Sequence, residues 1–316
     1  MQPQVLTGCF AHHRFDRAIH RGAVGHRIVG GEWRKRLGDA QHVAIAGAQR
    51  WIDLGFFNLQ PSEPAKLALI LVLAACYANT DAPNGYRLRD LIKPGILVIL
   101  PFVLIAKQPD LGTALICAFV FVSMTLYVRL RWGTLAILSG TALTCIFVGW
   151  KFLLKDYQRK RIETFLNPEA DIMNHGYQIM QSKIAVGSGK IFGKGFLEGT
   201  QGHLHFLPEK HTDFAFSVWA EEWGFAGSLF FLGCYFFMLI WGVNVAMSAK
   251  DKLGSILAFG CVALIFWQAV INLCMIMGFL PVVGVPLPIF SYGGSSLLKD
   301  CPSLAAVAAS AANARS

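Results

Sequence analysis

The sequence predicts an all-α fold: a polytopic integral membrane helical bundle of about six spans, with one long extracytoplasmic loop. Three observations predict it. The 316 residues are 54% hydrophobic and only 15% charged, where a soluble domain carries about a quarter charged residues. The mean hydropathy is +0.49. The apolar residues gather in runs, several of which reach the roughly 20 residues that cross a hydrocarbon core.

Charge and cysteine usage exclude other classes. The formal charge of +9 sits in short loops and in the N-terminal segment, not along one amphipathic face. That placement fits membrane lipids and orientation in a bilayer, and speaks against a nucleic-acid partner. The eight cysteines form no C-x-x-C pair. Cys76, Cys117, Cys145, Cys234, Cys261 and Cys274 lie in apolar runs, as small hydrophobes do.

Residues 1–46 are basic and histidine-rich, with no long apolar run and no signal-peptide core. From Gly47 the chain turns polar and aromatic, Arg50-Trp51-Ile-Asp53, as at a membrane interface. Gln60-Pro61-Ser62-Glu63-Pro64-Ala65-Lys66 then opens the first apolar run, which extends to about Ala78. Proline suits the first helical turn, where its missing N–H costs nothing. Glu63 and Lys66 are three apart, so they share a helix face and can pair. Further apolar runs follow at about 94–106, 111–128, 134–154, 215–247 and 254–280. Pro94 and Pro101 mark the second as bent or tilted.

Arg87, Arg89 and Lys93 lie between the first two runs. Arg129 and Arg131 follow the third, and Lys250 and Lys252 the fifth. With alternating crossings these three loops share a side, which the excess of Lys and Arg assigns to the cytoplasm. The outer side then receives Lys107-Gln108-Pro109-Asp110, the loop of 155–213 and the region from Pro281 to Ser296.

Within that loop Tyr177, Met180 and Ile184 fall at helical spacing, the pattern of a helix lying in the interface plane. Gly187-Ser-Gly189-Lys190-Ile-Phe-Gly193-Lys194-Gly195 resembles a phosphate-cradling loop but fails the G-x-x-x-x-G-K-[ST] spacing at every register. A Gly/Lys turn still offers N–H groups and ammonium charge to an extracytoplasmic phosphate. His203, His205 and His211 form no recognised metal-ligand pattern, and hydrogen bonding is the simpler account. Pro281-Val-Val-Gly284-Val-Pro286-Leu-Pro288 is broken apolar backbone, tolerated at membrane depth only when packed in protein or lining a cavity.

Asp213 stands at the outer mouth of the fifth run. A partly desolvated carboxylate there is a better proton acceptor; the plainer alternative is a helix N-cap. Glu221 and Glu222 follow about two turns deeper. Acids inside an apolar run are functional candidates, with a hydrogen bond to a neighbouring helix as the alternative.

Several of these stretches form a recognisable set. They are Gly47-Ala-Gln-Arg-Trp-Ile-Asp-Leu-Gly55, Gln60-Pro-Ser-Glu63, Gln108-Pro-Asp-Leu-Gly-Thr113 and Asp156-Tyr-Gln-Arg159. Gln181-Ser-Lys-Ile-Ala185, Phe206-Leu-Pro-Glu209, His211-Thr-Asp-Phe214 and Pro281–Pro288 with Ser291-Tyr292-Gly-Gly-Ser295 complete it. Over about residues 47–298 the chain closely resembles the SEDS family (shape, elongation, division and sporulation). The wording of the first motif is more like the rod-shape branch than the division branch.

The resemblance implies a peptidoglycan glycosyltransferase that polymerises lipid II into a glycan strand at the outer face of the bacterial cytoplasmic membrane. It implies a class B penicillin-binding protein as partner. It places the essential carboxylate on Asp213 and matches Glu63 and Lys66 to a pair that shapes the cavity. Gln108, Asp110, Glu221, Glu222, Ser291 and Tyr292 are assigned supporting roles. Arg50, Arg159, Lys183, Lys194 and Lys210, all on the outer side, are candidates for the pyrophosphate. No cofactor is called for beyond a divalent cation that such a leaving group would accept. The family has about ten spans, and residues 1–46 and 299–316 do not match its pattern. Frameshifts, a wrong start or a degenerate gene are the expected origin of both ends. The competing functions are a flippase for lipid-linked precursors and an inactive remnant that only binds partners. A flippase would carry ionisable groups along a path through the bilayer, whereas here they cluster outside.

Overall fold

In the computed structural model, the residues described are 42–45, 48–53, 58–80, 82, 85–108, 110–148, 175–199, 212–291 and single positions between 300 and 310. Seven helices are described. They are α1 (Ser62–Ala78), α2 (Ile92–Lys107), α3 (Leu111–Tyr127), α4 (Trp132–Val148), α5 (His175–Ser188), α6 (Ala215–Ser248) and α7 (Lys252–Ile276). Each of the six apolar runs read from the sequence coincides with one helix, and α5 lies in the long stretch between the fourth and fifth runs.

By length the helices fall into two groups. Only α6 and α7 are long and apolar enough, among the described residues, to cross a membrane unaided. The other four apolar helices have 16 or 17 residues, about 25 Å at the usual rise per residue. Pro101 lies inside α2, as the sequence predicts.

The all-α expectation needs one correction. Strands β1 (His42–Ile45), β2 (Ala48–Asp53) and β3 (Asn58–Leu59) form an antiparallel sheet in the order β1-β2-β3. Ile45 pairs with Ala48 and Ile52 with both His42 and Leu59, with a register shift between Val43 and Ala44. The β-branched Val43, Ile45 and Ile52 favour such strands. Strands this short leave too little alternation for the pattern to show in sequence.

Helix α7 is the centre of the bundle, packing on α1, α3, α5 and α6. Small residues allow it. A Cβ on Gly260 would meet Ile70 of α1 at 2.7 Å and Met124 of α3 at 3.0 Å. Aromatic and polar contacts then fix rotation. Phe119 stacks on Trp267 at 4.5 Å and Tyr127 on Phe259 at 4.1 Å. The Trp267 indole donates to Ser123, and Tyr77 and Thr125 share a buried hydrogen bond of 2.7 Å. Helix α6, by contrast, exposes Phe230, Phe236, Phe237 and Trp241, as a lipid-facing helix does.

A second, smaller core lies at the other end of α7. Ile179 of α5, Phe214 and Phe216 at the start of α6, Met275 and Ile276 of α7, and Val282 and Leu287 beyond it pack together. It holds the start of α6 and the Pro/Gly segment in one place. The candidate site is built there.

Candidate functional site

Helix α6 begins at Ala215 with Phe214 at the N-cap and no side-chain cap. Asp213 therefore lies outside the helix, and the cap position falls to an apolar residue. The Asp213 backbone is gripped instead. Its carbonyl accepts a 2.8 Å hydrogen bond from the Asn272 amide of α7. One residue earlier, the Thr212 carbonyl accepts from the Ser291 hydroxyl at 2.7 Å. Ser291 Oγ in turn accepts from the Leu287 N–H. Two carbonyls outside regular structure thus find buried partners, as such groups must.

The Pro/Gly segment supplies the facing wall. Residues 281–288 form no helix, and Val282, Val285, Leu287 and Ser291 are buried. That meets the expectation of irregular backbone packed within protein. Gly284 adopts φ +68°, and the position of a Cβ on it is 3.4 Å from the Asp213 carboxylate. The positive φ is costly for other residues and free for glycine. On its other side the segment touches α3, since a Cβ on Gly112 would lie 2.9 Å from the Val283 carbonyl.

That contact brings in Asp110. It is buried, caps α3 through the Thr113 N–H at 3.2 Å and also holds the Thr113 hydroxyl. Gln60, just before α1, donates to it at 3.4 Å. The segment at 281–288 thus adjoins the Asp213 carboxylate, and through Gly112 and Asp110 it is linked to the 108–113 stretch and to Gln60. The Lys66 ammonium and Glu63 carboxylate pair at 2.7 Å, with side-chain exposures of 2% and 5%. Water is excluded from both, and each ion depends on its partner. Gln108 ends α2 with its N–H bonded to the Ile105 carbonyl.

Glu221, Glu222 and Lys194 belong to a second locus. Helix α6 breaks at Gly224, with φ +66° and ψ −161°. The Gly-rich stretch docks onto that break through backbone bonds. The N–H groups of Lys194 and Gly195 donate to the Glu221 and Glu222 carbonyls at 3.1 Å. Returning, the Phe225 and Ala226 N–H groups donate to the carbonyls of Lys190 and Ile191. Gly189 sits against the Ala220 carbonyl and Gly193 against that of Glu222, closer than any Cβ would permit. These glycines allow backbones to meet, and the N–H groups of Gly193, Lys194 and Gly195 are spent inside the protein. The phosphate cradle considered from the sequence loses those donors. Lys194 instead meets the wholly buried Glu221 at 2.7 Å.

Lys183 is exposed on α5, with its ammonium end folded over Gly278 just past the C-terminus of α7, where helix carbonyls favour a cation. The side chains of Arg50 (in β2), Arg159, Lys210 and Tyr292 lie outside the described residues, as do His203, His205 and His211. Among the described residues no three His, Cys, Asp or Glu side chains converge as a metal site.

Sequence reasoning passed over Asn272. A single carboxamide in an apolar run, with Gln268 one turn earlier on the same face, is the signal that marks it.

The fold and site together define a helical membrane protein in which an irregular Pro/Gly segment packs beside one carboxylate. The profile of the FtsW, RodA and SpoVE family, described as a cell cycle protein, matches residues 39–316. The chain belongs to that family. It is 42% identical over 260 residues to the peptidoglycan glycosyltransferase MrdB of Escherichia coli K12, covering 82% of this chain and 70% of the relative. It is 41% identical over 256 residues to a probable peptidoglycan glycosyltransferase FtsW of Trichlorobacter lovleyi, covering 80% and 66%. Among solved structures it is similar to a chain of a peptidoglycan synthase complex that coordinates polymerization and crosslinking. That match has a TM-score of 0.69 and 33% identity, and covers 88% of this chain and 77% of the other.

Proposed function

We infer that the chain is a peptidoglycan glycosyltransferase that polymerises lipid II, with Asp213 as the general base. The observation that carries this reading is the placement of the Asp213 carboxylate against Gly284. The chemistry joins a sugar hydroxyl to an anomeric carbon whose leaving group is a lipid pyrophosphate. As the hydroxyl oxygen attacks, the carboxylate takes its proton and the C–O bond to the pyrophosphate breaks. A base held by its own backbone, beside a glycine that leaves room for a substrate, suits that step.

The pyrophosphate needs positive charge at its departure. Arg50, Arg159, Lys183 and Lys210 are assigned to it, and a bound divalent cation would supply the same charge. Lys194 serves the docking of the Gly-rich loop, because Glu221 engages its ammonium. Glu63, Lys66, Gln108, Asp110, Ser291 and Tyr292 support the cavity walls. All six apolar helices α1 to α4, α6 and α7 cross the membrane in this reading, with the loops at 87–93, 129–131 and 250–252 on the cytoplasmic side. The active site then faces outward.

A class B penicillin-binding protein is the proposed partner, since a glycan strand made at the outer face needs crosslinking there. Elongation is the proposed setting, on the wording of residues 47–53. The near-equal identities to MrdB and FtsW support both branches alike. The test is a gel assay of glycan polymer from purified protein and lipid II. Asp213→Ala and Asp213→Asn are expected to abolish polymer while membrane insertion stays intact. Undiminished polymer would exclude the base assignment.

A further inference from the structure

Asn272 is a fully buried carboxamide in the most enclosed helix of the bundle. An amide withdrawn from water is costly unless it is hydrogen-bonded. Both of its N–H protons are used, on the Asp213 carbonyl at 2.8 Å and on the Val285 carbonyl at 2.7 Å. Neither acceptor lies in a helix, so neither has a regular backbone partner to turn to. Two carbonyls on one nitrogen also fix the amide's orientation, because the flipped form would set oxygen against oxygen.

One side chain therefore joins the backbone of residue 213 to the Pro/Gly segment, at the point where Gly284 meets the Asp213 carboxylate. Below it, Ser182 bridges Ser217 and the Ile276 carbonyl, anchoring the first turn of α6 to α5 and to the end of α7. That lower network places the helix. The Asn272 bonds place the residue ahead of it, which lies outside the helical ladder.

We propose that Asn272 is a positioning residue for the polymerisation step. It sets the depth and aim of the Asp213 carboxylate and locks the carboxylate in step with the Val283–Val285 wall. Asn272 touches no reacting atom. Its effect passes through the backbone of residue 213, and the inference rests on Asp213 being the base.

Asn272→Leu keeps the approximate volume and removes both donors, while Asn272→Gln keeps the donors but moves them by one methylene. Initial polymerisation rates over a range of lipid II concentrations separate kcat from KM. For Asn272→Leu the expected result is a kcat lower by about 10- to 100-fold, the cost of a misplacement of about 1 Å, with KM within about twofold. Asn272→Gln is expected to fall about tenfold. Size-exclusion profiles and Tm in detergent establish folding, and if Asn272→Leu aggregates, Asn272→Gln becomes the deciding variant. A folded variant with kcat within twofold of the parent overturns the proposal, as does a loss carried by KM with kcat unchanged. Full activity of Asp213→Ala would instead remove the base assignment itself, a distinct result.

Discussion

Lys66 and Glu63 hold opposite charges 2.7 Å apart where neither meets water. The i, i+3 spacing on α1 brings them together, and the surrounding bundle removes the solvent. Removing one partner takes this opposite charge away from a buried ion, which costs about 3 kcal/mol or more. Lys66→Met and Glu63→Gln are each expected to lower the Tm in detergent. The double variant is expected to regain part of that loss, since no charge is then withdrawn from water and only a neutral amide bears a desolvation cost. Thermal unfolding of the three variants measures the difference. Asp213 differs in kind. It is half-buried and gripped through its backbone, so its substitution is expected to cost activity with little change in Tm.

Among elements, the broken helix α6 and the loop docked on it matter most. An unbroken 34-residue α6 would be about 50 Å long, well beyond the roughly 30 Å of a hydrocarbon core. The portion from Phe225 to Ser248 is long enough to cross, which puts the break at Gly224 near the membrane boundary. The docked loop then presents Ile191, Phe192, Phe196 and Leu197 at that boundary, with Phe192 84% exposed. Gly193→Ala is expected to unseat the loop, because its Cβ would enter the Glu222 carbonyl. A loss of about 2 kcal/mol or more is expected from the strained conformation and the clash together, with faster proteolytic nicking in 189–199. Gly187 of α5 has nothing within 4 Å of a Cβ. Gly187→Ala is expected to be neutral or stabilising by up to about 1 kcal/mol, which makes it the control for the same proteolysis experiment.

At the scale of the whole molecule, α7 joins the two cores. Gly260 lets α1 and α3 approach it together, so Gly260→Val is expected to destabilise the bundle by about 1–3 kcal/mol through overpacking, read as a lower Tm. Topology has its own measurement. In a background without native cysteines, a cysteine at Lys250 is expected to react with an impermeant thiol reagent only from the cytoplasmic side, and one at Phe192 only from outside. Reaction of both from one side would overturn the crossing pattern.

Much of this arrangement is local and therefore readable along the chain. Apolar runs mark the helices, prolines and glycines mark the irregular segment before Ser291, and the Glu63–Lys66 pair follows from helical spacing. The lone acid at the mouth of α6 is visible for the same reason: it breaks a pattern confined to a few neighbouring residues. Other features depend on positions far apart that meet through backbone groups. Asn272 reaches across to residue 213, Lys194 finds Glu221, Gly112 lies against Val283, and Gly193 fits the break at Gly224. Hydrophobic periodicity records which face of a segment is buried, but not which carbonyl waits on the far side. Carbonyls are common to every residue, so no side-chain pattern announces them. Packing of α7 against its neighbours selects the few that meet at the carboxylate.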